Sequence, residues 1–155
     1  MAEFVGTFDC KMDSKGRLNI PVKIRENIAD GSETLICRKS FNEPCLELFS
    51  KTTWALETRF LKDLDTLDKE DMNLKRQFLQ DVKIDTWDST GRFLIPKNLL
   101  EFAGIDKDVV IVGLDDSAEV WDKEKYLEKM RETSEKEKAD MLDKIRALKR
   151  KSINK

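Results

Sequence analysis

The chain writes one nine-residue block twice. Asp13-Ser14-Lys15-Gly16-Arg17-Leu18-Asn19-Ile20-Pro21 returns as Asp88-Ser89-Thr90-Gly91-Arg92-Phe93-Leu94-Ile95-Pro96, identical at six of nine positions. An internal repeat limits the possible folds sharply, because each copy must be one structural unit and the units must bury their apolar faces together. Within each block Asp opens a turn and two polar residues fill it. Gly then supplies the positive φ with which a tight hairpin loop rejoins its strand. The Arg follows at once, which fixes a cation beside the tip of a short hairpin.

After the turn the residues alternate, so Leu18 and Ile20 share one face, as Phe93 and Ile95 do in the second copy. Pro21 and Pro96 are expected at the first helical position, where a missing amide is harmless. The first helix should run to Ile28 or Ala29 and stop at Gly31, the second to Ala103 and stop at Gly104. Thr34 to Arg38 and Leu46 to Phe49 read as two more strands, with Val109 to Val112 and Ala118 to Trp121 as their counterparts. Equivalent positions lie 75 residues apart at the prolines, 73 at Gly31 and Gly104, and 72 at Glu47 and Glu119, so only loops have shortened. The expected class is α+β with a mainly β core.

Ser50 is a fair cap for a helix trailing the first copy, and Asp65 to Asp81 reads as a connecting helix. The organisation predicted is a first repeat with its trailing helix over 1–64, the connecting helix over 65–81, a second repeat over 82–130 and a charged helical tail over 131–155. An apolar stripe at Met141, Ile145 and Leu148 gives the tail two readings, a solvated helix or a short helical contact with a neighbouring subunit.

The 155 residues carry 29 basic and 31 acidic side chains, a net charge of −2. That balance excludes a protein that coats nucleic acid indiscriminately and leaves local clusters to do any such work. There is no histidine, and the three cysteines form no C-x-x-C pair, so neither a zinc site nor any other metal or cofactor is expected. Without histidine, nucleophile elbow or phosphate-binding Gly-rich loop, the inventory also argues against an enzyme, and no catalytic residue is assigned. No stretch approaches the ~18 apolar residues of a membrane span, which points to a soluble, cytoplasmic protein.

The tandem Asp-x-x-x-Arg hairpins that continue through Ile-Pro into a helix, Phe4-x-Gly6 near the start, and Val112-Gly113 ahead of Glu119-Val120-Trp121-Asp122 resemble the MraZ family of bacterial transcriptional regulators. The resemblance covers residues 1 to about 130. A single Asp-x-x-x-Arg copy would point only to the wider SpoVT-AbrB group. The resemblance implies a double-split, swapped-hairpin β-barrel built within one chain. It further implies a ring of identical subunits at the nucleoid that binds short direct repeats upstream of a division and cell-wall gene cluster. The family's DNA-contacting arginine matches Arg17 in the first copy and Arg92 in the second. The second copy departs from the first at Thr90, where the first has Lys15.

Local charge separates the copies. Lys11, Lys15, Arg17, Lys23 and Arg25 face only Asp13 between residues 11 and 25, whereas Arg92 and Lys97 face Asp88 between 86 and 100. The first copy is therefore the expected principal contact with double-stranded DNA, through Arg17, Lys15, Lys11 and Arg25, with Arg92 in support. Arg suits base reading because its fork spans the O6 and N7 acceptors of guanine, while lysines suit phosphates. Asp13, Gly16, Asp88 and Gly91 are expected to shape the turns. A carboxylate that merely caps its turn and pairs with the guanidinium is an equally open reading of the Asp and Arg positions. An oligomeric scaffold and an AbrB-type antitoxin are the alternative functions.

Overall fold

A computed structural model of the chain describes residues 3–28 and 31–154. By contact, the chain divides into two compact units, Met1–Lys123 and Glu124–Lys155. The first holds the first repeat and the strands of the second, up to Asp122. Its strands are β1 (Thr7–Lys11), β2 (Arg17–Asn19), β3 (Thr34–Lys39), β4 (Leu46–Phe49), β5 (Lys83–Thr86), β6 (Arg92–Leu94), β7 (Asp108–Gly113) and β8 (Ala118–Asp122). Its helices are α1 (Val22–Asn27), α2 (Lys51–Glu57), α3 (Lys69–Leu79) and α4 (Lys97–Ala103), with a 3-10 turn over Arg59–Asp63. The α+β class is borne out, with a six-stranded antiparallel sheet at its centre.

The sheet runs in the order β1-β7-β8-β4-β3-β5, and β2 pairs with β6 in a separate two-stranded ribbon. Every first strand has left its own copy. β1 lies against β7 of the second copy, in register from Thr7 with Val112 to Lys11 with Asp108, and β5 lies against β3 of the first. This exchange is the swapped hairpin. At the centre of the large sheet β4 meets β8 with Glu47 opposite Glu119, and in the ribbon Leu18 sits opposite Phe93. Both are pairs of equivalent residues, so a pseudo-two-fold axis passes through the two sheets. An isolated bridge between Met12, just past β1, and Leu18 of β2 links the two strands of the first hairpin.

Alternation explains what is buried. Leu18, Ile20, Phe93 and Ile95 all point inward and are sealed, together with Ile24 of α1, Leu99 of α4 and Ile111 of β7. A fully buried aliphatic or aromatic side chain contributes about 1.5–3 kcal/mol relative to exposure, so this cluster supplies much of what holds the copies together. Cys37 and Cys45 are also buried, and burial pushes the Cys37 thiol up to about 12.

The helix boundaries differ slightly from expectation. Pro21 and Pro96 occupy the cap position itself, with ψ of 140° and 146°, so each helix begins one residue later. Extended ψ at the proline lets the chain leave the ribbon before it coils. α1 ends at Asn27, where Ile28 turns extended; Ala29, the alternative end, lies outside the described residues. α4 ends as expected on Gly104, with φ of 62°. Ser50 caps α2 through a reciprocal box with Thr53, and α3 occupies the middle of the expected connecting segment.

In the second unit, Ser134 caps α6 (Glu135–Ile153), which follows α5 (Lys123–Arg131). Among the described residues, no helix is long and apolar enough to cross a membrane.

Candidate nucleic-acid interface

Each hairpin turn is organised by its aspartate. Asp13 Oδ1 accepts from the backbone N–H groups of Lys15 and Arg17, both at 2.9 Å, and its Oδ2 accepts from Arg17 Nε at 2.7 Å. Asp88 repeats this with the N–H groups of Thr90 and Arg92 at 3.0 Å and with Arg92 Nε at 3.2 Å. It also accepts the Thr90 hydroxyl at 2.8 Å. Gly16 and Gly91 close the turns at φ of 81° and 82°, where a side chain would be strained.

The ribbon brings the two turns together. Ile20 N–H donates to the Gly91 carbonyl and Ile95 N–H to the Gly16 carbonyl, so each turn is stitched to the strand leaving the other. The charged side chains consequently interleave: Arg17 Nη1 lies 3.8 Å from Asp88 Oδ2, and Arg92 Nη1 lies 3.7 Å from Asp13 Oδ2. Two carboxylates and two guanidiniums thus form a quartet with no net charge. Its arginines are partly exposed, 27% for Arg17 and 35% for Arg92. The aspartates grip Nε and approach Nη1, and no hydrogen bond to a protein acceptor engages Nη2 of either arginine among the described residues. Beside them an open depression of about 420 Å³ is lined by Lys11, Met12, Asp13, Arg17, Asn19, Thr90 and Arg92.

Both carboxyls titrate below the ordinary carboxylate range. For Asp13 the backbone N–H of Arg17 is the leading cause. For Asp88 the backbone N–H of Arg92 leads, followed by the Thr90 hydroxyl, and the value falls to about 2. A carboxylate depressed on folding stabilises the protein above its unfolded pKa, about 3.9, and loses that contribution as pH falls through the folded value. Acid unfolding followed by circular dichroism should therefore show a loss of stability between about pH 4 and pH 2. Asp88→Asn should flatten the curve in that window; an unaltered curve would remove Asp88 from the balance.

The other candidate cations are distributed differently in space than along the chain. Lys11 Nζ is paired with Asp108 Oδ1 at 2.7 Å, across the swapped β1–β7 ladder. Arg25 reaches over to the second hairpin: its Nε donates to the Ile20 carbonyl at 3.0 Å, and its guanidinium lies where a Cβ on Gly91 would be. At the equivalent place on Gly16 stands Leu100, so the pseudo-symmetry is broken by a cation on one side only. Lys15 is exposed at the tip of the first turn and, among the described residues, has no ion-pair partner. Asn19, which sequence reasoning passed over, lines the depression; its place on the outward face of β2 was the available signal.

The family model described as MraZ protein, antitoxin-like, matches residues 4–77 and again residues 82–145, one match to each copy of the repeat. The chain belongs to the MraZ family. A relative from Christiangramia forsetii is 33% identical over 146 residues, covering 94% of each chain. One from Bacteroides fragilis is 39% identical over 127 residues, covering 81% of this chain and 80% of its own. One from Flavobacterium psychrophilum is 35% identical over 146 residues, covering 94% and 92%. Each bears the name transcriptional regulator MraZ. This MraZ-family chain places the two hairpins that define the repeat in one quartet.

Proposed function

We propose that the chain is a sequence-specific, DNA-binding transcriptional regulator, soluble in the cytoplasm and acting at the nucleoid. Its paired Asp-x-x-x-Arg hairpins contact short direct repeats in promoter DNA, upstream of a division and cell-wall gene cluster. A ring of identical subunits presents many such hairpins at once. The relatives' shared name supports the regulatory role.

The observation that carries the reading is the state of the two arginines. Their inner nitrogens are held by aspartates on a stitched ribbon while Nη2 stays uncommitted, so a partly exposed edge is aimed without freedom to wander. A pre-positioned guanidinium loses little entropy when it meets a guanine edge. Because the quartet itself is neutral, attraction to phosphate falls to Lys15 and Arg25, and one subunit contributes only a few contacts. Linked binding by a multimer across spaced repeats adds a factor of ~10² to 10⁴ without any new kind of contact.

Titration of the protein against a duplex bearing several short direct repeats, and against a scrambled duplex of equal composition, tests this at two salt concentrations. Binding should prefer the repeats and weaken as salt rises. Equal binding to both duplexes would remove the specificity claim, and no binding at low salt would remove the DNA claim.

A further inference from the structure

α6 is a 19-residue helix with no buried residue. Met141, Leu142, Ile145 and Leu148 form a stripe along it and are 52%, 47%, 47% and 55% exposed. A lone helix of this length is marginal in water, so a stripe with heptad spacing calls for a partner. The charge pattern says which. Residues 135–143 carry Glu135, Glu137, Asp140 and Asp143 against Lys136 and Lys138, whereas residues 144–153 carry Lys144, Arg146, Lys149, Arg150 and Lys151 and no acid.

We propose that α6 pairs antiparallel with α6 of a second copy of this chain. The proposal goes beyond the DNA reading and does not depend on it. In heptad terms Lys138, Ile145 and Ser152 take one core position and Met141 and Leu148 the other, flanked by Glu135, Leu142 and Lys149 on one side and Glu137, Lys144 and Lys151 on the other. In the antiparallel register that sets Met141 against Ile145 of the second copy, Glu135 faces Lys149 and Glu137 faces Lys151, each pair occurring twice by symmetry. That register brings the two copies of Lys144 together once, whereas a parallel pair would set Lys144 beside Lys149 on both flanks and make none of the Glu–Lys contacts. Glu135 has a loose intrahelical contact with Lys138 Nζ at 3.4 Å, and an exposed pair of this kind is given up with little loss.

The test uses the full chain with single added cysteines and a short bismaleimide, read as a dimer band on a denaturing gel. In the antiparallel register the two copies of residue 142 are separated by about 3 Å along the axis, and those of residue 148 by about 15 Å. Leu142→Cys should cross-link and Leu148→Cys should not. Adding Glu135→Lys with Glu137→Lys, or Lys149→Glu with Lys151→Glu, to the Leu142→Cys chain should abolish the band. An equimolar mixture of the two charge-reversed chains should restore it, since each then offers the other the opposite sign. No band above the wild-type background at residue 142, a band at residue 148, or a band indifferent to the charge reversals would overturn the pairing. These readouts involve no DNA, so their outcome is independent of the regulator reading.

Discussion

Phe93→Ala is expected to lower the free energy of unfolding by about 3–5 kcal/mol, the range for removing a large aromatic from a closed core. Phe93 is fully buried and sits opposite Leu18, also fully buried, on the pseudo-two-fold axis of the β2–β6 ribbon. The site has little room to collapse, because Phe93 belongs to the same core cluster as Ile20, Ile24, Ile95 and Leu99, all of them sealed. Leu18→Ala should fall in the lower part of a similar range, about 2–5 kcal/mol, since fewer atoms are removed. Against a total stability of about 5–15 kcal/mol for a domain, either loss is large. Urea unfolding measures it. A change below about 1 kcal/mol would mean that the ribbon is not integrated with the core, and that the stitching of the turns to each other is a surface feature.

The same pair shows what the sequence does and does not disclose. That Leu18 and Phe93 point inward follows from alternation after a turn, which is a local property of the strand. That they face each other does not follow locally, because nothing local distinguishes a strand that returns to its own hairpin partner from one that crosses to the other copy; the exchange is expected from the family resemblance alone. β1 pairs with β7 about a hundred residues away, and its own alternating pattern would serve equally well against a nearer strand. The turns, by contrast, were legible in detail, since Asp, Gly and their spacing determine the backbone on their own.

Charge followed the same division. Counting along the chain assigned Lys11 and Arg25 to the first hairpin, but the β1–β7 exchange gives Lys11 to Asp108, and the β2–β6 ribbon brings Arg25 onto Gly91 of the second turn. A count by segment cannot anticipate this, because ion pairs obey distance in space, and the β1–β7 exchange and the β2–β6 ribbon both set neighbours that are far apart along the chain. The cross-contacts of the quartet, Arg17 with Asp88 and Arg92 with Asp13, were invisible for the same reason.

Arg17→Ala is expected to weaken binding to the repeat-bearing duplex more than Arg92→Ala does, with the proposed assembly intact. The two arginines are near-equivalent in their grip by aspartate, so the difference must come from what surrounds them. Lys15 stands exposed at the first tip, with no ion-pair partner among the described residues, ready to meet a phosphate beside whatever base edge Arg17 reads. At the second tip Thr90 turns its hydroxyl to Asp88 and brings no charge, and the cation beside that turn, Arg25, is tied by its Nε to the Ile20 carbonyl. A lost bidentate contact to guanine is worth about 1–3 kcal/mol, and a multimer that repeats the contact at several sites compounds the loss. Arg17→Lys separates charge from shape: it keeps the cation and should preserve the salt dependence, but it lacks the planar fork and should lose most of the preference for the repeats over the scrambled duplex. Circular dichroism and solution mass on each variant guard against a trivial cause, because Asp13 loses a partner when Arg17 is removed. Equal losses for Arg17→Ala and Arg92→Ala would make the quartet a symmetric reader. Loss of the assembly itself would make Arg17 a structural member of the ribbon.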